Sequence, residues 1–317
     1  MKWKRGKLLP SCAFEINVND DYSTTPEIQR SDLISPVLLL KSLGINDLLD
    51  FDFLSPPSSE MLVSALGRLY ALGALNSAGS MTVVGRKLAE IPTDPAIAKA
   101  LLSADTYGCV EEVLTIVSLL GEGATLWLPG KKENKLHFDA AKARFNHEAG
   151  DMLTLLNVYE AWEQSDYSPI WCRENHLQAR SLSRARDVRD QLVKLCERVE
   201  ITPSSCGSTN SVPIAKSLLS GFFENVGRLS RDGNSYSTLK KRSDVYIHPS
   251  SSFFGANPPV KLICWHELVL TSKEFVRGLL KVDDMSWLNE VAPHYYKKED
   301  LEKLEEKKGR RGRESAL

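Results

Sequence analysis

The chain has 317 residues, 42% hydrophobic and 26% charged, enough to bury a core and to form more than one domain. Its 40 basic and 41 acidic side chains leave a formal charge of −1, which excludes the global positive field of a strong non-specific nucleic-acid binder; any such contact must be local. The six cysteines (Cys12, Cys109, Cys172, Cys196, Cys206 and Cys264) form no CxxC pair and follow no secretory signal, which fits a reducing compartment, and no apolar run reaches the roughly 20 residues of a membrane helix.

The chain opens on MKWKRGKLLP, basic but without the apolar centre of a signal peptide. The first organised region is expected over residues 26–91. Ser35 and Pro36 are placed to cap and start a helix, VLLLKSL carries it, and Gly44 stops it. A second helix is expected from Ser58 to Leu75, with Leu62, Leu66, Leu69 and Leu72 on one face. An Ala78-Gly79 turn and a β-rich MTVV then suggest a hairpin. Two helices and a hairpin point to a winged helix, although Arg68 is the one base-reading or phosphate-binding side chain on the second helix.

Residues 92–200 read as an all-α bundle. Asp94-Pro95 starts a helix that Gly108 ends, VEEVLTIVSLL makes another, and Asp151 is placed to cap MLTLLNVYEAW. The last helix, Ser181 to Val199, is expected to bury Ala185, Val188, Leu192, Leu195 and Val199. Arg184, Arg186, Arg189 and Lys194 then lie on its flanks, where interleaved Asp187, Asp190 and Glu197 make a solvated face the simpler reading.

Over residues 201–297 the period becomes alternating. A short helix, SVPIAKSLLSGFF, precedes five β-rich runs, with a turn at Asp232-Gly233 between the first two. A small barrel of the oligonucleotide-binding (OB) type is the expected fold, one that receives single strands across a face and its loops. Tyr236, Tyr246, Phe253, Phe254 and Trp265 are the aromatic candidates, most of them expected inside the barrel. The fold class is therefore multidomain α+β. The charged tail, residues 298–317, reads as disordered, with KKGRRGR as a nuclear address, an RNA patch or plain solvated chain.

Enzyme signatures are sparse. The segment GEGATLWLPGKK, Gly121 to Lys132, is no GxxxxGK[ST] phosphate loop, because Gly123 and Gly130 are too far apart and Lys132 stands where a magnesium-binding hydroxyl is required. It reads as an ordinary loop. Cys172 and His176 lie four apart on an expected helix but have no further ligands nearby for zinc. No GxSxG or HExxH occurs, so no catalytic and no metal-binding residue is assigned.

One stretch, LICWHELVLTSKEFVRGLLKVDDMSWLNEVAPHYY (residues 262–296), resembles the end of a DEAH-box RNA helicase. PEIQRSDL, LLLKSLGI, FDFLSPP, GDMLTLLNVYEAW, WCRENHLQARSLSRARDVRDQL, DVYIHPSS and HELVLTSKEF follow in the order found in spliceosomal members of that family, over about residues 25–297. RARDVRDQL and HELVLTSKEF are most similar to the member that remodels the activated spliceosome before the first splicing step; other splicing and ribosome-biogenesis members are close alternatives. The resemblance implies a winged helix (26–91), a helical ratchet (92–200) and an OB-fold barrel (201–297), with residues 1–25 unmatched, as in a truncated reading frame or a foreign start.

It also implies a function. In the family, ratchet and barrel close over two RecA-like ATPase lobes to form a channel for single-stranded RNA. ATP and magnesium belong to those lobes, so no cofactor is expected on this chain. Carried over by position, the RNA-binding residues are Arg180, Arg184 and Arg189 in the ratchet and His248, Thr271, Ser272 and Lys273 in the barrel. Arg and Lys neutralise phosphates and hydroxyls bond backbone oxygens. His248 before Pro249 can equally cap a strand, and Thr271-Ser272 can equally cap a turn. Met152 and Ala179 depart from the family pattern, which has a His and often an aromatic there. Expected partners are pre-mRNA, other spliceosome components and a G-patch activator docked on the leucine-rich winged helix. The expected location is the nucleus. A stand-alone, non-enzymatic RNA or protein adaptor is the other reading.

Overall fold

A computed structural model describes residues 25–128 and 135–304. The phosphate-loop look-alike beyond Leu128, the N-terminal segment and the tail from residue 305, with KKGRRGR, lie outside the described residues; the start of the tail expected to be disordered is instead helical over 298–304, with Leu301 buried in the core.

Three helices make the first unit: α1 (Ile34–Ser42), α2 (Ser59–Ala71) and α3 (Val83–Glu90). α1 starts one residue before Ser35. Leu33 holds the cap position without a side-chain bond, Asp32 Oδ1 accepting the Ile34 N–H at 3.1 Å just ahead of it, while Gly44 follows the helix at φ +87°. Ser58 caps α2 by accepting the Met61 N–H, and Leu62, Leu69 and Leu72 are buried while Leu66 is half-buried. The helix ends at Ala71, four residues short of the expected Leu75. The expected MTVV hairpin reduces to a single Leu75–Met81 bridge, because Thr82 caps α3 and draws Val83 and Val84 into it; its Oγ1 accepts the Gly85 N–H at 3.0 Å. A strong N-cap here overrides β propensity.

The ratchet region holds α4 (Pro95–Tyr107), α5 (Val110–Leu120), α6 (Lys135–Ala143), α7 (Asp151–Gln164), α8 (Pro169–Glu174) and α9 (Ala179–Arg198). Asp94 caps α4 and Gly108 ends it in the left-handed conformation, as the sequence indicates. Ten of the eleven residues of α5 are buried, which makes it the central helix of the bundle. On α9 the buried stripe is Ser181, Leu182, Ala185, Leu192 and Cys196; Val188, expected inside, is exposed. Ala185, Leu192 and Val199 are buried as expected and Leu195 is half-buried, while partly buried Arg189 stands beside the exposed Val188. Met152, where the family has a His, is fully buried on α7.

α10 (Ser211–Phe222) leads into strands β1 (Val226–Leu229), β2 (Tyr236–Thr238), β3 (Asp244–Ile247), β4 (Leu262–Leu270) and β5 (Glu274–Lys281), followed by α11 (Ser286–Val291). The strands close in the order β1-β2-β3-β5-β4, antiparallel except for β3 with β5. All five expected β runs form strands, and the closed barrel has the OB arrangement. Tyr236, Phe253 and Trp265 fill it, while Phe254 is exposed. α10 packs on α4 at backbone distance. A Cβ on Gly221 would lie 2.1 Å from the Ala96 carbonyl oxygen, so glycine is what allows the barrel's leading helix to join the ratchet core. No helix among the described residues is long and apolar enough to cross a membrane.

Candidate nucleic-acid interface

Where ratchet meets barrel, a short polar seam sets the geometry. Asp151, expected as a helix cap, instead stands at the first position of α7 and reaches across to the barrel. Its Oδ1 accepts the Ser252 N–H and the Ser252 hydroxyl, each at 2.8 Å, and its Oδ2 accepts the Leu279 N–H at 3.1 Å. Gly150 beside it has φ +111° and sits so close that a Cβ would lie 2.6 Å from the Leu279 carbonyl oxygen. The Lys281 N–H donates to the Ala149 carbonyl at 2.8 Å. Lys142 on α6 donates from Nζ to the Ser250 carbonyl.

Beside this seam opens a groove of about 400 Å³. Its ratchet side mixes apolar Leu120, Trp127, Phe138 and Leu155 with Asp139, Lys142, Asp151 and Thr154. The barrel wall is polar, from His248, Ser250, Glu267 and Arg277. Arg277 grips Glu267 in a two-pronged ion pair, Nε to Oε2 and Nη2 to Oε1 both at 2.7 Å, and this holds the Glu267 carboxyl below the usual range. Lys142 lies 5.7 Å from the Trp127 ring centroid, and burial lowers its amine pKa. His248 is lowered by burial and then by Arg277 and Lys142, which favours a neutral ring. His266 also lines the groove and is lowered by burial.

The anticipated RNA residues fall into two sets. On the barrel, Thr271, Ser272 and Lys273 form the exposed β4–β5 tip. Thr271 spends its hydroxyl and N–H on the Lys273 carbonyl, a turn cap. Lys273 Nζ stands 4.3 Å over the Tyr246 ring, Tyr246 neighbours Phe275 at 6.1 Å, and Phe275 neighbours His248 at 5.9 Å. A strip of one cation and three rings therefore runs from the tip to the groove. His248 also caps its own turn, since its Nδ1 accepts the Ser250 N–H.

The ratchet set is less available. Arg184 is half-exposed but forks onto Glu122, with Nε to Oε1 at 2.9 Å and Nη2 to Oε2 at 2.6 Å, on the loop that carries Gly123 at the groove. Arg189 donates to Thr115 Oγ1 at 2.9 Å and pairs with Glu111 on α5. Partly buried and bonded to two residues of α5, it acts as a strut between helices. Arg180 is exposed and forms no ion pair among the described residues. Arg68 is a strut too, paired with Asp32 at 2.5 Å and Glu224 at 2.8 Å across winged helix and barrel. Cys172 is fully buried, and no metal-ligand cluster occurs among the described residues.

Sequence reasoning missed Lys142, Trp127, Phe138 and Arg277. Nothing in their local spacing brings α6, the loop after α5 and β5 together; only the Asp151 seam does.

Comparison with protein-family models gives three matches in chain order. Residues 65–93 match the winged-helix part of the helicase associated domain (HA2), residues 94–155 its ratchet-like part, and residues 214–295 an oligonucleotide/oligosaccharide-binding (OB)-fold.

Proposed function

We propose, from a chain that carries the HA2 winged-helix, HA2 ratchet and OB-fold domains typical of DEAH-box helicase C-termini, that it serves an ATP-dependent RNA helicase of pre-mRNA splicing as its RNA-holding and partner-docking part. The observation that supports this most is the groove between ratchet and barrel, continuous with the Lys273–Tyr246–Phe275–His248 strip. Rings and isolated cations suit single strands, whose bases stack without sequence reading. ATP and magnesium are work for RecA lobes, and this chain is assigned no cofactor. The splicing assignment and the nuclear location rest on the colinear wording, RARDVRDQL and HELVLTSKEF above all.

The winged helix is the proposed site for a G-patch activator. Leu39, Leu43, Leu49, Leu54, Val63 and Val83 are exposed there, more apolar surface than one small unit needs, and suited to an amphipathic helix. Cross-linking the tagged chain to RNA in cells tests the splicing reading. Recovery of intron-containing pre-mRNA is expected, and recovery of ribosomal precursors alone overturns it. A G-patch peptide titrated into isotope-labelled protein is expected to shift resonances within residues 26–91. Shifts confined beyond Ile201, or none at millimolar peptide, remove the docking site.

A further inference from the structure

We infer that the groove between ratchet and barrel is a pocket for one unstacked base of a single strand, with the phosphates kept outside. This rests on the RNA reading above and adds to it a division of labour. The size is the first reason: a groove of about 400 Å³ has room for one nucleotide's ring and sugar. The second is the pairing of an apolar patch with polar groups around it. Trp127 and Phe138 meet edge to face at 6.3 Å and, with Leu120 and Leu155, present apolar surface on the ratchet side. Arg277, Glu267 and Ser250 face them from the barrel. A base has this character, apolar on its faces and polar on its edges.

Charge is the third reason. Lys142 and Arg277 line the groove, but so do Asp139, Asp151 and Glu267. Glu267 neutralises Arg277, and Asp151 is occupied by three donors. What remains is near neutral or slightly negative, unfavourable for a phosphate and suitable for an uncharged ring. Lys142, beside Trp127 and against the Ser250 carbonyl, is placed to donate to a ring oxygen or nitrogen. Phosphates are left to exposed cations outside the groove, Lys273 and Arg180.

The test compares two oligomers binding to the whole chain, a ten-nucleotide uridine strand and the same ribose-phosphate strand without bases. The wild-type chain is expected to bind the uridine strand about tenfold or more tightly than the abasic one, the scale of one or two stacked bases. Ala124→Phe adds a ring at an exposed turn position on the groove wall. It should bring the two affinities together while leaving abasic binding unchanged. Lys142→Met should reduce the ratio about threefold or more, and unaltered thermal midpoints establish that both variants fold. A ratio unchanged in both, with RNA still bound in a salt-dependent way, overturns the base pocket and leaves the RNA reading intact. Failure of both oligomers to bind the wild-type chain overturns both.

Discussion

Arginine is the residue whose role the sequence conveys least. Arg180, Arg184 and Arg189 lie on one helix and read alike, yet one is exposed, one forks onto Glu122 and one braces α5. The difference comes from partners 60 to 80 positions away in the chain, which helical spacing does not encode. Arg189→Ala is therefore expected to cost stability, about 1–2 kcal/mol for a partly buried, charge-assisted bond, with little effect on RNA affinity. Lys273→Ala and Arg180→Ala should do the reverse, weakening RNA binding equally for all sequences and lowering the salt slope by about one each. Chemical denaturation and binding titrations at several salt concentrations check both. If Arg189→Ala proves fully stable and weakens RNA binding, its assignment as a strut fails.

Elements were legible where a local signal decides them. Asp94 and Gly108 delimit α4, and alternation with the Asp232-Gly233 turn marks the strands. Expectations failed where a cap or a long-range contact outweighed propensity. Thr82 turned a β-rich run into α3, and Asp151 joined the barrel instead of capping its own helix. Two substitutions probe the joints between elements. Asp151→Ala leaves the Leu279 and Ser252 N–H groups without their acceptor; it should destabilise by about 2–3 kcal/mol and speed hydrogen exchange at those two amides. Exchange rates equal to wild type would show that the seam is held by other contacts. Gly221→Ala drives a methyl to within 2.1 Å of the Ala96 oxygen. The backbones of α4 and α10 must separate, at a cost of about 2 kcal/mol or more, read as a lowered thermal midpoint.

At the scale of the whole molecule, three histidines near the junction, His147, His248 and His266, have pKa values lowered chiefly by burial. A histidine depressed in the fold binds fewer protons there than in the unfolded chain. Its contribution is complete above the unfolded value of about 6.5 and is lost as pH falls toward the folded one. Glu224, raised by burial, pulls the other way. Stability is expected to drop between pH 7.5 and 5.5, and His266→Gln should flatten that dependence; an unchanged midpoint across this range contradicts it. The domain order was legible through colinear motifs, while the groove was not, because it exists only once α6, α7 and β5 meet. The most direct test of an RNA-holding role is hydrogen exchange of the whole chain with and without a uridine ten-mer. Protection is expected over residues 120–128, 138–142, 246–250 and 271–278. No protection anywhere, or protection confined to residues 26–91, would contradict it.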